Sequence, residues 1–564
     1  MRKLLFLFSF SLQLSIHAQS VYVPLNNDYY HLIDRYEVRQ GHSFDQHHSS
    51  VRPFLRKKIV SITDSVFKKQ TLSEQDKFNL QYLRNDSWEW ANSVDNQSKK
   101  PIFKHFYKVK SDLYHVDSKD FKLHVNPVIY AGLGRDSNAP ATPFINSRGV
   151  EIRGSIDGKV GFYSYLVENQ MNFPGYVVDR IDETIAIPGE GFWKDFNEDG
   201  YDFFTARGYI TFNATKHIGL QVGHDRNFIG NGYRSLILSD YGPSHFFVKI
   251  NTKVWKINYT NLFTSMVAEL QGNANGLTGA GDFTRKNIAF HHLSIDISKR
   301  LNIGLFEAVV FSRADSIRTN SFDLRYINPI IFYRAVEQQT GSPDNVLLGL
   351  DYKWHVKKNI MTYGQFFFDE FVLDELRSGD GFWANKFGLQ VGGKVTDLFG
   401  VPNLDAQLEA NFVRPYAYTH NTLVGSYSNY NQPLAHPSGA NFREFIGILK
   451  YQPLDKLFLT AKAFYTETGL DTANLNVGTN VLLDNSTRNR GVGDPNFGNE
   501  IGQGIATEIM FGDLTASYMF KHNLFADLRY IYRRQESELP EFESTTNFFS
   551  VSVRWNIPLR LQEF

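Results

Sequence analysis

The sequence predicts an all-β transmembrane fold: a closed antiparallel β-barrel of about 18 strands, preceded by a small α-helical segment. Three observations support this prediction. The chain opens with an export signal, apolar and polar residues alternate from Phe121 onward, and short connections between predicted strands alternate with long ones. An even number of strands returns both chain ends to one side of the membrane, as in outer-membrane barrels.

Residues 1–18 are predicted to be a secretory signal peptide. Arg2 and Lys3 supply its positive start, residues 4–16 are mostly apolar, and a small-residue site follows. We therefore expect cleavage before Gln19. The expected location of the mature protein is the outer membrane, as an integral barrel.

Composition excludes several classes of protein. The chain has no cysteine, which excludes disulfides and thiolate metal sites. It has 59 basic and 59 acidic residues, so loss of Arg2 and Lys3 leaves 57 against 59, about −2, and gives no support for a nucleic-acid partner. No apolar run of 18 or more residues follows the signal, whereas 15% of the chain is aromatic. A helical membrane protein is thus excluded, and a barrel with a polar lumen is favoured.

Residues 19–105 are predicted to be a helical segment at the periplasmic mouth of the barrel. Apolar residues between Val51 and Val66 recur at helical spacing, and residues 29–38 offer a second helix. Ser73, followed three residues later by Asp76, has the pattern of a capping box. These short helices need a surface to pack against.

Residues 106–564 are predicted to form the barrel. In LDAQLEANF (404–412), Leu and Ala alternate with Asp, Gln, Glu and Asn, as expected for a strand with one face to lipid and one to the lumen. The last predicted strand, NFFSVSVRWNIPLRLQEF, alternates similarly and ends at Phe564, a terminal aromatic typical of outer-membrane barrels.

Connection lengths distinguish a barrel from a soluble sandwich, whose strands also alternate. A sandwich has no reason to keep all its long loops at one end, whereas outer-membrane barrels have short periplasmic turns and long outer loops. The predicted short turns are 156–159, 213–217, 251–253, 298–302, 355–359, 396–403, 452–456 and 521–523. The predicted long loops are 175–200, 226–243, 270–286, 313–344, 374–384, 415–441 and 468–502.

One predicted outer loop, within GHDRNFIGNGYRSLILSD (223–240), is too polar for a core and too apolar for a solvated loop. Its apolar SLILSD patch predicts packing against another part of the protein. Two interpretations are open: a plug folded into the lumen, with its arginines paired to lumen carboxylates, or a polysaccharide-binding surface. The candidate residues are Arg226, Asn231, Tyr233 and Arg234.

A second insert spans Arg325 to Trp354. Within it, NPIIFYRAVEQQ predicts a short helix that places Arg334 and Glu337 at i and i+3. SPDN, which ends in Asp344 and Asn345, predicts a turn into the next strand. These four residues complete the set of candidate binding or plug residues.

The two inserts together resemble the Wzi-type capsule-assembly outer-membrane proteins, and most closely their Bacteroidetes RemB branch of gliding-motility proteins. The second insert carries most of the resemblance, and the order of signal peptide, helical segment and barrel matches. The resemblance implies a barrel plugged by loops and helices. It also implies a lectin-like, non-catalytic role in assembling or attaching surface polysaccharide, and for the RemB branch a part in gliding.

Residues 195–202, DFNEDGYD, hold a candidate calcium site. Asp195, Asn197 and Asp199 match the start of a calcium loop, and Asp202 is a further candidate ligand, although Ala206 stands where an EF-hand has Glu. The alternative is a polar turn before a strand. No other cofactor is expected. Aromatic residues in predicted outer loops suit sugar faces, and the alternative is that Tyr-, Asn- and Ser-rich loops of this kind are ordinary on barrels; the residues are Trp193, Tyr416, Tyr418, Tyr427 and Tyr430.

No motif indicates an enzyme, since the chain lacks a nucleophile elbow, HExxH and a phosphate loop. A hydrolase with Ser, His and Asp drawn from separate strands remains an alternative, as does an outer-membrane transport or secretion-associated channel. The expected partners are outer-membrane lipid, surface polysaccharide, and gliding or secretion machinery.

Overall fold

A computed structural model of the chain contains a closed barrel of 18 antiparallel strands, as predicted, in which the last strand pairs with the first. The structure describes residues 19–45, 47–69, 71–91, 96–268, 283–312, 323–328, 331 and 344–564. The barrel strands are β1 Phe121–Asp136, β2 Phe144–Ile156, β3 Val160–Asn172, β4 Gly200–Asn213, β5 Ile218–Asp225, β6 His245–Val254, β7 Ile257–Val267, β8 Arg285–Asp296, β9 Leu301–Phe311, β10 Asn345–Lys357, β11 Ile360–Phe368, β12 Phe387–Val395, β13 Leu404–Val413, β14 Phe442–Leu454, β15 Leu457–Leu470, β16 Ile505–Lys521, β17 Leu524–Ser537 and β18 Ser544–Trp555.

Besides the 18 barrel strands, the described residues form helices and short strands. The helices are α1 Asn27–Gln40, α2 Arg56–Lys69, α3 Glu74–Asp86, α4 Gly175–Thr184 and α5 Leu373–Ser378. The short strands are Val51–Arg52, Tyr114–Asp117, Lys194–Phe196, Phe228–Ile229, Ser428–Asn429 and Gln432–Pro433. Among the described residues, no helix is both long and apolar enough to cross a bilayer.

The barrel wall has an apolar outer face and a polar inner face. In β13, Leu408 is 69% exposed whereas its neighbour Glu409 is 4% exposed, and this alternation repeats around the wall. Such a wall presents apolar side chains to lipid and keeps ionisable side chains in the lumen. The closed barrel and this outer face indicate an integral outer-membrane protein.

The long connections all lie at one end of the barrel. Eight turns of two to eight residues mark the other end, which we call the turn end, whereas the loop end carries seven long connections and two short ones, 137–143 and 538–543. One predicted turn is wrong: residues 251–253 lie within β6, and the chain turns at Trp255, which has a φ of 54°. A left-handed residue at that position closes the tight turn.

The helical segment is anchored to the turn end. The Arg35 guanidinium of α1 contacts Asp405 at the start of β13 and Asp397 in the preceding turn, the latter at 2.6 Å. In α3, Tyr82 donates to Asn523 at 2.5 Å, and Ser73 and Asp76 form the predicted capping box. Because Val51–Arg52 is a strand, α2 begins at Arg56 and not near Val51.

The C-terminal tail differs from the sequence prediction. The last strand ends at Trp555, and residues 556–564 fold back into the lumen instead of extending β18. Phe564 packs inside the barrel against Tyr176 and Tyr241, with ring centroids 5.7 and 6.2 Å away. The prediction that Phe564 ends a membrane strand is therefore wrong.

Replacing Arg35 with Gln is expected to loosen the helical segment. The substitution leaves Asp405 and Asp397 without their shared guanidinium, and breaking such a buried pair costs about 3–5 kcal/mol. We expect residues 19–91 to become protease-sensitive at lower urea concentration. The control is Lys77→Ala, which removes an exposed pair with Glu74 and should cost about 1 kcal/mol or less. Equal protease resistance of the two variants would contradict this account.

Acid is expected to release the same segment. Burial alone would raise the pKa of Asp34 and Asp76, but the charges of Lys394 and Arg35 outweigh it and hold each pKa below the ordinary 3.8. A lowered folded-state pKa stabilises the fold fully above the unfolded value and loses that contribution as pH falls through the folded value. Pepsin cleavage within the segment should therefore rise between about pH 4 and pH 2. Cleavage that is independent of pH across this range, after correction for pepsin activity, would contradict the prediction.

Candidate functional site

The Arg- and Gly-rich connection between β5 and β6 enters the lumen and meets the helical segment there. Phe228–Ile229 pairs with Val51–Arg52 as a two-stranded antiparallel sheet. The Gly230 N–H donates to the Ser50 carbonyl at 2.8 Å, and Asn231 Nδ2 donates to Ser50 Oγ at 2.9 Å. Segments that start from opposite ends of the barrel therefore touch inside it.

Lumen side chains hold the tip of this connection. Glu409 of β13 accepts the Tyr233 and Arg234 backbone N–H groups at 2.7 and 3.0 Å. Gln365 of β11 accepts the Leu236 N–H at 2.7 Å and donates to the Ile229 carbonyl at 3.0 Å. These hydrogen bonds replace the water that the backbone groups of this buried segment lose, so the segment does not carry unpaired polar groups.

The SLILSD patch packs into an apolar core at the loop end, as its sequence predicted. Leu236, Ile237 and Leu238 are at most 2% exposed, and the hydroxyls of Tyr418 and Tyr427 donate to the first two carbonyls at 2.7 and 2.9 Å. These tyrosines are therefore core residues. The predicted sugar-facing role of loop aromatics is wrong for the buried members of the set: Trp193, Tyr416, Tyr418 and Tyr427.

The C-terminal tail is the third body in the lumen. Glu563 accepts from Lys462 Nζ at 2.6 Å and from the Tyr233 hydroxyl. Arg234 donates to the Glu563 carbonyl at 2.5 Å and contacts the Glu444 carboxylate at 3.3 Å. Arg234 therefore joins the connection, the tail and the wall in one network.

A cavity of about 170 Å³ remains between these bodies. Arg226, Tyr233 and Arg234 line it, whereas Asn231 lies against Ser50 instead. Arg226 is held by the carbonyls of Gly189 and Asp240. Three of the four candidates in this connection thus share one internal chamber, and none forms an outer binding surface.

Two of the four candidates in the second insert, Asp344 and Asn345, lie among the described residues. Arg334, Glu337 and the helix predicted around them lie outside the described residues. Asp344 accepts from the Tyr326 hydroxyl at 2.5 Å, and Asn345 donates to the Gly425 carbonyl at 3.0 Å at the start of β10. Both contacts tie loops together and involve no lumen carboxylate.

The candidate calcium residues form a hairpin. Phe196 pairs with Gly200, Asn197 is left-handed with φ 56°, and Asp202 accepts from Gln170 at 3.2 Å. Within the described ranges, no three acidic or histidine side chains come together as metal ligands. The calcium hypothesis for Asp195, Asn197, Asp199 and Asp202 gains no support, and the polar-turn alternative describes the geometry.

Two close histidine–carboxylate pairs are inaccessible. His292 lies 2.5 Å from Asp351 and His436 lies 2.7 Å from Glu444, and both histidines are 0% exposed. A general base must reach its substrate within hydrogen-bond distance. Neither pair meets this requirement, so neither supports the hydrolase alternative.

Replacing Arg234 with Met is expected to free the tail. The substitution removes the Arg234 guanidinium from Glu444, which keeps only His436 as a partner, and it removes the hydrogen bond to the Glu563 carbonyl. We expect the free energy of unfolding to fall by about 3 kcal/mol. Digestion by carboxypeptidase and the thermal midpoint measure the effect. The control, Arg443→Met, breaks only an exposed pair with Glu467 and should change stability by about 1 kcal/mol or less. A tail equally resistant in both variants would contradict the role given to Arg234.

Comparison with known proteins shows the fold and no closer relationship. No protein-family model matches the sequence. No curated protein matches it either. Wzi of Escherichia coli, described as an outer-membrane protein involved in group 1 capsule assembly and a carbohydrate-binding β-barrel, is similar in structure, with a TM-score of 0.57 and 13% identity. The match covers 96% of this chain and 100% of Wzi.

Two Pseudomonas aeruginosa outer-membrane proteins are more distantly similar. OprD matches with a TM-score of 0.41 and 11% identity, over 77% of this chain and 94% of OprD. OccK8 (OprE) matches with a TM-score of 0.42 and 8% identity, over 77% of this chain and 97% of OccK8. The likeness to Wzi, together with the observed topology, shows the closed-barrel fold of an outer-membrane protein.

Proposed function

We propose that the protein is a non-catalytic outer-membrane barrel that assembles or attaches surface polysaccharide at its loop end. One observation carries the proposal: the lumen is occupied by the helical segment, the β5–β6 connection and the C-terminal tail, which contact one another. A barrel filled in this way acts through its outer surface.

The layout along the chain belongs to the same proposal. Residues 1–18 are a cleaved signal peptide, residues 19–105 a periplasmic segment and residues 106–564 the barrel. Contacts between α1, α3 and the turn end support this division, because short turns of such barrels face the periplasm. The loop end then faces the cell exterior.

Wzi, the similar barrel, is described as binding carbohydrate and taking part in capsule assembly. Its likeness and the resemblance of the two inserts support the choice of polysaccharide as the partner. The further resemblance to the RemB branch supports a part in gliding, through contacts with motility or secretion machinery. The alternative function, passage of solutes through the lumen, is disfavoured because the β5–β6 connection is hydrogen-bonded to the lumen side chains Glu409 and Gln365.

An outer ridge between the β11–β12 and β15–β16 connections suits a saccharide. The Arg488 guanidinium lies 3.6 Å from the Trp383 ring centroid, and the backbone N–H of Trp383 donates to the backbone carbonyl of Asn496 at 2.9 Å. The rings of Phe382 and Phe497 are 5.5 Å apart. The Arg488 guanidinium covers one face of Trp383, and the Phe382 and Phe497 rings beside it match the C–H faces of sugars, with the guanidinium and amide groups suited to their hydroxyls.

A deletion strain tests this function. We expect deletion to lower the ratio of cell-bound to released polysaccharide several-fold while total synthesis is unchanged, because the attachment surface is lost. The wild-type gene should restore the ratio, and a Trp383→Ala gene should restore it only in part. The matched control is Phe371→Ala, since Phe371 is a 38% exposed aromatic in the same connection but outside the ridge.

Colony spreading is recorded on the same strains. Polysaccharide release together with lost spreading supports attachment as the primary role. An unchanged ratio with lost spreading would overturn the polysaccharide role and leave a motility role. Equal rescue by Trp383→Ala and Phe371→Ala would contradict the ridge as the binding surface.

A further inference from the structure

The internal chamber contains a cluster of charged side chains around Glu190. Three guanidinium groups, from Arg207, Arg226 and Arg560, approach its carboxylate. They come from three separate parts of the chain: β4, the β5–β6 connection and the C-terminal tail. Glu190 itself lies in the β3–β4 connection, so this charged cluster forms only when the β3–β4 connection, β4, the β5–β6 connection and the C-terminal tail are all in place.

The three contacts are long. The guanidinium nitrogens of Arg207, Arg226 and Arg560 lie 3.6, 3.4 and 3.4 Å from Glu190 Oε1. Charge-assisted N–H···O bonds are normally about 2.7–2.9 Å long. One carboxylate oxygen is thus shared by three cations without a short bond to any of them.

Arg207 is the least satisfied of the three. In the described part of the chain its guanidinium has no hydrogen bond, and its neighbours are Glu190, the Asp225 carboxylate and the Tyr165 ring, 5.6 Å away. The Nε atoms of both Arg207 and Arg226 are buried without a hydrogen-bond partner. Unpaired buried donors are costly, and a ligand that accepts from them lowers that cost.

The other charged groups that line the chamber are Asp225, Asp240, Glu563 and Arg234, and the last two are paired with partners elsewhere. Asp225 Oδ1 accepts the backbone N–H of Arg226 at 2.8 Å, and Glu563 is bound to Lys462 at 2.6 Å. Arg234 contacts Glu444 at 3.3 Å. Asp240 also lines the cavity, and its carbonyl accepts from Arg226. Among the described residues, Glu190 is the one carboxylate within ion-pair distance of Arg207, Arg226 and Arg560.

We propose that this chamber binds a small oxyanion group, a carboxylate or a phosphate, between Arg207, Arg226 and Arg560. Guanidinium groups match both anions in geometry and charge. A cavity needs roughly 10–15 Å³ of volume to hold one water molecule. The chamber, at about 170 Å³, therefore accommodates either group with several waters. This site is inside the barrel and does not depend on the proposed polysaccharide role of the outer ridge.

Calorimetric titration of the full chain in detergent tests the proposal, with inorganic phosphate, glucuronate and glucose as probes. We expect phosphate or glucuronate to bind and glucose, which is neutral, not to bind. Arg560→Gln should weaken oxyanion binding about tenfold or more, because it removes one of three cations. Glu190→Gln should strengthen binding about tenfold, because it removes the internal carboxylate that competes for the same guanidinium groups.

The control is Arg148→Gln, which breaks an exposed pair with Glu168 away from the chamber and should leave binding unchanged. Faster migration of unheated samples on gels shows that each variant is a folded barrel. Should Arg560→Gln fail to fold, the gain of affinity in Glu190→Gln decides the matter. Binding of one probe alone assigns the anion as phosphate or carboxylate. Failure of both oxyanions to bind wild type and Glu190→Gln would overturn the proposal, as would equal binding by Glu190→Gln and wild type.

Discussion

The structure depends on one constraint: charged side chains inside a barrel must find partners in a lumen that is filled with protein. The wall turns Glu409, Lys462 and Glu444 inward because its other face meets lipid. Once the interior is packed, bulk water no longer pairs these groups, and each requires a protein partner. The inserts supply those partners.

This requirement explains why three distant segments converge. Arg35 of the helical segment pairs with Asp405, Arg234 of the β5–β6 connection with Glu444, and Glu563 of the tail with Lys462. Each pair joins an insert to the wall, and Tyr233 joins the connection to the tail. The plug is therefore a set of mutually dependent parts.

Local sequence patterns predicted the features that depend on neighbouring residues. Alternation placed Leu408 outside and Glu409 inside, and Ser73 with Asp76 marked the start of α3. Contacts of Arg234 with Glu409 and Glu444 span 175 and 210 positions, and no local pattern encodes them. The tail was missed because Ile557 continues the alternation of β18. Pro558, which lacks the N–H needed for strand pairing, was the available signal.

Electrical recording on the full chain tests the central claim, that the lumen is closed, most directly. Purified protein is inserted into planar bilayers and compared with a variant that lacks residues 556–564 and carries a short Gly-Ser linker in place of residues 227–242. Because the lumen is filled, the full chain should give no steady current steps, whereas the variant should give measurable steps. Steady conductance of the unaltered protein would contradict a filled lumen and favour a channel.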